Sequence, residues 1–486
     1  MKEKIEKIDY KYKVTIFTFI LFFLIEALSP ISGDDWKSYI IGKSGLIECF
    51  KNIDIRDGRL LSGFLINFLS YNKIFFDISF AYLISTFVKM CNDLQGNVKT
   101  KYCYLYPLIG VLLVSSFMFS YNYTSITSTV TYTIPSLLFI MYFYVLINEE
   151  KTKKTIIKEI IFSTFILLSS IHLAIIFFIS NLIYFLTSLK KEKNIINFGI
   201  LAYDLLLLIF SLSKLNFGLL TNDFSKAFDN IPYMIENIFS KNIILIIVGS
   251  IPINLYLSEK LNNRIYGRVV IVLFDVILAF SLCYNFFNYI PISINLILKK
   301  YNGIFATENW YYIFYFITYI ILFIISINHY TKNIKLKKIF NILCLASILI
   351  ILFTLFSNTL DTGLIVLITF SIILITCIIM KETNMGVHVK TIRLIALLLI
   401  MFYVSAFSII KYIDVTRTNY IKEQLDAKDT NIEIKANPIY LVWRYNPTDF
   451  FQQKDFKDYY LIPQKNTIEV KYFGIFEKIE KRVKDE

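Results

Sequence analysis

The chain has 486 residues, 56% of them hydrophobic, and a formal net charge of +13. Soluble domains are about 45–50% apolar even with glycine counted, so this composition, with a mean hydropathy of +0.58, argues against an ordinary soluble fold. The lysines lie scattered between apolar runs rather than on one basic face with stacking aromatics, so the charge points to no nucleic-acid partner.

The apolar residues come in runs of about 20, the length a helix needs to cross about 30 Å of hydrocarbon. The first run spans roughly 14–29. Lys2, Lys4, Lys7, Lys11 and Lys13 precede it and place the N-terminus in the cytoplasm, where Lys and Arg accumulate beside membrane helices. The run ends at Pro30 without a small-residue cleavage site, so it reads as an anchor. Further runs fall near 73–89, 103–120, 130–147, 156–169, 173–188, 195–212, 242–257, 269–288, 310–328, 339–356, 364–380 and 394–412.

Basic clusters at Lys151/Lys153/Lys154, Lys190/Lys191/Lys193, Arg264/Arg268, Lys335/Lys337/Lys338 and Lys390/Arg393 are expected on the cytoplasmic side. Two of them flank the long apolar stretch 156–189, so parity predicts two short helices turning near Ser169–His172. The outer loops 121–129 and 357–363 carry no Lys or Arg. The six cysteines show no paired or metal-ligand spacing. Cys91, Cys103, Cys283, Cys344 and Cys377 lie in or beside apolar runs and only Cys49 is expected outside, which does not read as a disulfide framework.

About thirteen crossings that start inside leave the tail outside. That tail is charged, with alternating stretches at Asn431–Lys435 and Thr467–Tyr472 that predict strands, and Asn-Pro turns at 437–438 and 446–447. The expected architecture is an all-α polytopic membrane protein, residues 1–412, with a first outer loop over 30–72. A small α/β extracytoplasmic C-terminal domain, 413–486, follows it.

The first outer loop carries the most chemistry. Ser32-Gly33-Asp34-Asp35-Trp36 stands just beyond the first helix, and Asp54-Ile55-Arg56-Asp57-Gly58-Arg59 follows in the same loop. Glu26 lies one turn inside the helix end, and Trp36 suits the interfacial aromatic belt. This set fits group transfer from a lipid phosphate. One carboxylate takes the proton of an acceptor hydroxyl as general base; a second orients a neighbour or holds a divalent cation. Guanidinium groups grip the phosphate in bidentate fashion. Adjacent residues point about 100° apart on a helix, so Asp34 and Asp35 are expected to do different jobs. A plainer reading fits the same residues: Asp-Asp after Gly is a common turn or N-cap, and Arg56, Asp57 and Arg59 form ion pairs on a wet loop.

The DDW pair after the first helix and the GR later in the same loop resemble GT-C-type polytopic glycosyltransferases, specifically the bacterial O-antigen glucosyltransferase-like group and related membrane proteins. Tyr121-Asn122-Tyr123 through Pro135 resembles the second outer loop of that group. Arg417-Thr418-Asn419-Tyr420-Ile421 through Asp458-Tyr459-Tyr460 resembles its C-terminal end. The resemblance implies residence in the bacterial plasma membrane, a polyprenyl-phosphate-linked sugar donor, a cell-surface glycan acceptor and inversion at the anomeric carbon. Asp34 is then the expected base, with Asp35 in support or on a metal such as magnesium or manganese. Arg56 and Arg59 would contact phosphate. Ser169-Ser170-Ile171-His172 stands where the group's acidic or Asn residue is expected near the fifth and sixth helices.

His172, at an outer turn, is a further candidate for lining a substrate cavity, although a lone His is more often a hydrogen-bonded structural residue. Asp204 and Asp275 lie well inside apolar runs. An isolated Asp at a helix centre costs about 2.5–3.5 kcal/mol on insertion scales, so each needs a partner or a cavity. A relay through them would favour a transporter or flippase without chemistry; an interhelical hydrogen bond is the plainer account. A polysaccharide polymerase is the other alternative, but the loops at 213–241 and 289–309 are short and free of Arg.

Overall fold

The computed structural model describes residues 2–53, 59–95, 101–114, 119, 123–188, 195–213, 243–261, 269, 271–273, 276, 310–331, 333–356, 363, 365–382, 389–435 and 454–471. Arg56 with Asp54, Asp57 and Gly58, the residues Tyr121, Asn122 and Asp275, most of the run 269–288, and the clusters Lys190/Lys191/Lys193 and Arg264/Arg268 lie outside the described residues.

The described chain is mostly helical. It opens with α1 (Lys2–Leu28), then α2 (Asp35–Lys43), α3 (Leu46–Lys51), α4 (Leu60–Tyr71) and α5 (Lys73–Gln95). A 3-10 turn, Lys101–Leu105, leads into α6 (Tyr106–Leu112), with Pro107 in its first turn where the missing N–H costs nothing. The helix α7, Ile126–Asn148, contains a π turn at Thr129–Thr133. Then come α8 (Lys153–Leu167), α9 (Ile171–Ser188), α10 (Ile195–Leu212), α11 (Ile243–Leu261), α12 (Trp310–Tyr330), α13 (Ile334–Phe356), α14 (Ile365–Glu382) and α15 (Val389–Asp426). The break between α8 and α9 falls at 168–170, where the flanking basic clusters require it. Thr152 and Thr155 close a reciprocal capping box that starts α8.

Among the described residues, five helices are long and apolar enough to cross a membrane: Lys73–Leu94, Ile126–Asn148, Ile171–Ser188, Ile195–Leu212 and Ile392–Asp426. About thirteen crossings are expected from the apolar runs and charge pattern, and several of those runs, such as 103–120 and 269–288, lie partly outside the described residues. α1 carries Lys11, Lys13 and Glu26 along its length.

Burial sorts the helices. In α7 89% of the apolar window is buried, and α14 is buried along most of its length, so these two apolar-all-round helices form the centre of the bundle. In α10 only 22% of the window is buried, and Ile195, Phe198, Leu206 and Ile209 face outward. Aromatic rings join α1, α5 and the segment before α7: Phe22 meets Phe80 edge-on at 6.3 Å and Tyr123 at 6.1 Å.

The loop expected over 30–72 is itself three helices. α2 and α4 approach so closely that a Cβ on Gly42 would lie 2.2 Å from the Asn67 carbonyl oxygen. α15 continues without a break through residue 412, so the boundary drawn there falls inside one helix. After α15 come β1 (Asn431–Lys435), α16 (Lys454–Tyr459) and β2 (Thr467–Lys471), with β1 and β2 paired in parallel, Asn431 opposite Thr467. Both strands form where their period-2 alternation predicts them. Ile432 and Ile434 turn inward with Ile421 of α15.

Candidate functional site at the α2 end of the bundle

Gly33 adopts a left-handed conformation, φ 59°, just past the end of α1. The turn it makes, with the Asp35 amide donating to the Ser32 carbonyl at 3.2 Å and the Trp36 amide to the Gly33 carbonyl at 3.2 Å, starts α2. The two adjacent acids consequently diverge. Asp34 is exposed and makes no capping hydrogen bond to its own helix. Asp35 is buried and crosses to the start of α7.

There the carboxylate of Asp35 accepts three hydrogen bonds: the Ile126 amide at 2.9 Å, the Thr127 amide at 2.8 Å and the Thr127 hydroxyl at 2.6 Å. The first amides of a helix have no partner within it and carry the positive end of its dipole, so a carboxylate is the natural cap. Burial pushes the Asp35 pKa up from the ordinary 3.8 to about 6. The Thr127 hydroxyl and the two amides pull it down, and the neighbouring Asp34 charge adds to the rise. With both oxygens engaged by N–H and O–H donors, Asp35 does not fit a cation ligand. Among the described residues, no three His, Cys, Asp or Glu gather to hold a metal ion.

Trp36 follows on the same helix but is 4% exposed. Its indole N–H donates to the Ile31 carbonyl at 3.0 Å. Its ring meets Phe456 edge-on at 4.9 Å and lies within 6.5 Å of Tyr459 and Tyr460, in a cluster with Ile421, Ile432, Ile434 and Ile462. The residue expected at the membrane interface is thus the bolt between the first loop and the C-terminal elements. An amide clip holds those elements to α15: Gln424 donates to the Glu433 carbonyl at 2.9 Å and accepts from its amide at 2.7 Å.

Arg59, half-buried before α4, donates from Nη2 to the Tyr132 hydroxyl at 3.0 Å, its guanidinium 5.8 Å from that ring's centroid. Tyr132 sits in the π turn, and a Cβ on Gly363 would lie 2.2 Å from its ring. The first turn of α4 rests on the α8–α9 turn: the Leu61 amide donates to the Leu168 carbonyl at 2.9 Å, and the Ser62 hydroxyl to the Ser169 carbonyl at 2.6 Å. His172, half-buried in the first turn of α9, therefore belongs to the same end of the bundle. Glu26 lies there too, fully buried at the end of α1. Lys73 donates to the Glu26 backbone carbonyl and to Asp77 at 2.7 Å, while the Glu26 carboxylate has no hydrogen-bond partner among the described residues.

Asp34, Asp35, Arg59, His172 and Glu26 thus stand at one end of the bundle, with Trp36 as packing. The segment Thr124–Thr133, which receives both Asp35 and Arg59, has a weak sequence signal: a dense Ser/Thr stretch without Lys or Arg, nearly all of it buried. Asp204 lies elsewhere, buried inside the bundle, where the Asn181 amide donates to it at 2.8 Å and to the Tyr142 hydroxyl at 3.0 Å, the interhelical contact of the plainer reading. No protein-family model matches the chain, and no curated protein or solved structure is significantly similar to it.

Proposed function

We propose that this protein is a membrane glycosyltransferase that moves a sugar from a polyprenyl-phosphate donor to a cell-surface glycan on the outer face of a bacterial plasma membrane. The observation that carries the reading is the divergence of the acid pair: an exposed Asp34 beside a buried Asp35 that caps α7. A base must be accessible and fixed within hydrogen-bond reach of the proton it takes. Arg59, braced by Tyr132 and converging on the same segment, supports the reading as the phosphate-facing cation, with Arg56 a further member of the pair.

In the reaction an acceptor hydroxyl oxygen attacks the anomeric carbon from the face opposite the phosphate. Asp34 accepts the hydroxyl proton as the new C–O bond forms. The bond from the anomeric carbon to the phosphate oxygen breaks, and the lipid phosphate leaves with the electron pair. Arg59 offsets the charge gathering on it. Asp35 acts through Asp34's position rather than on substrate, and the anomeric configuration inverts. The parallel β1–β2 pair with α16, packed on Trp36, supports the reading of 413–486 as a small extracytoplasmic unit, and the charge pattern supports about thirteen crossings.

Purified protein in liposomes, offered radiolabelled polyprenyl-phosphate hexoses and bacterial membrane glycan, should move label to glycan and release free lipid phosphate. Protected movement of intact lipid-linked sugar across the bilayer, with no label on glycan, would overturn the assignment and establish a carrier.

A further inference from the structure

The first loop turns an apolar edge outward at α3. Gly45, with φ 109° in the region that glycine favours, separates α2 from α3 and sets the direction of the short helix. Leu46, Ile47 and Phe50 are 57%, 71% and 61% exposed. At 3.6 residues per turn these three share one arc of about 100°. Lys51 borders the arc, and Glu48 and Asn52 hold the far side. Glu48 pairs with Lys51 at 2.8 Å and accepts from the Asn52 side chain at 3.3 Å. Cys49 turns inward, and its carbonyl accepts from the Asn67 amide of α4 at 3.3 Å.

The apolar edge does not stop at α3. Phe50 stacks on Phe64 of α4 at 4.2 Å, and Phe64 on Phe68 at 6.0 Å. α4 ends at the exposed Tyr71, and Asn72 alone joins it to α5, where Ile74, Phe75, Ile78 and Tyr82 also face outward. α5 is long and apolar enough to cross a membrane, so in a bilayer its outward side chains meet acyl chains. The ring stack of α4 carries that surface on to α3.

We propose that α3 is seated in the lipid leaflet on its own side of the bundle, with Leu46, Ile47 and Phe50 among the acyl chains and Lys43 and Lys51 at headgroup level. A cluster of large apolar side chains rimmed by polar residues marks an interaction surface, and continuity with the outward face of α5 selects lipid as its occupant. The order around α3 is that of a helix lying in the membrane plane, apolar arc down and lysine at the border, its stem along the apolar surface and its ammonium in water. Lys43, exposed in the last turn of α2, stands just before it. The proposal rests on the reading that the apolar helices lie in a bilayer and not on the transfer reaction, so its test leaves the acid pair untouched.

Photo-crosslinking of the full chain in phosphatidylethanolamine–phosphatidylglycerol liposomes tests it, with benzoylphenylalanine in place of Ile47, of Ile78 on α5, or of the exposed Lys465 before β2. Lipid adducts read by mass spectrometry should be as abundant at position 47 as at 78, and at least about tenfold above those at 465. Leu46, on the same arc, is the second site that keeps the test decisive where the first replacement disturbs folding. Adducts at 78 without adducts at 46 or 47 would overturn the proposal, and chain-to-chain cross-links at 47 would assign the face to a second copy instead. Adducts at none of these positions would overturn the bilayer reading together with the proposal.

Discussion

At the scale of single residues, the acid pair separates cleanly because a left-handed Gly33 sends one carboxylate outward and the next inward. That the side chains of Asp34 and Asp35 point apart was legible from their adjacency; that Asp35 caps a distant helix was not, because its donors lie in a Ser/Thr segment that no local pattern links to it. Asp35→Ala removes the acceptor for two buried amides and a hydroxyl, each worth about 1–3 kcal/mol when stranded. It should lower the Tm in detergent by several degrees, whereas Asp34→Ala should leave it unchanged. The raised Asp35 pKa also has a sign. The folded chain holds this proton more tightly than the unfolded one between the ordinary 3.8 and about 6. Its contribution to stability is therefore fully present below 3.8 and lost as pH rises through 6. Thermal unfolding from pH 4 to 8 should show the difference between wild type and Asp35→Asn changing across pH 4–6 in that direction and staying flat above 7.

At the scale of elements, the strands and the α8–α9 turn were readable from period-2 alternation and from basic clusters on both sides of one apolar stretch. The helical content of the first loop was not. Leu60–Tyr71 is apolar but only twelve residues long, too short to register as a crossing, and α2 closes on it through the bare backbone at Gly42. Nor does any spacing reveal that Trp36 packs on Phe456, since the contact joins the first loop to the last elements of the chain. Trp36→Ala empties the centre of that small cluster at a cost of about 3–5 kcal/mol. Limited proteolysis should then cut within 427–471 well before it cuts wild type. Gly42→Val should have a comparable effect on α2, because its side chain has no room against Asn67 and Tyr71.

At the scale of the whole molecule, the bundle has two chemically different ends separated by the length of α7. One carries the acid pair, Arg59 and the α8–α9 turn; the other carries Lys151, Lys153, Lys154 and Lys338 near the starts of α8 and α13. Under the charge-bias reading the lysine end is cytoplasmic. A Glu423→Cys variant, on the exposed end of α15, should react with a membrane-impermeant maleimide in intact cells, and a Lys154→Cys variant only after permeabilisation. The reverse pattern would invert the topology and move the acid pair away from any surface glycan.

The most direct test of the central claim is the rate of sugar transfer by Asp34→Asn in liposomes, measured beside its Tm and its insertion. The replacement keeps the shape of the side chain and removes its basicity. A general base contributes about 10²–10⁴-fold to rate, so kcat should fall by at least a hundredfold with Tm and insertion unchanged. Transfer at the wild-type rate would show that Asp34 takes no proton, and would contradict the account.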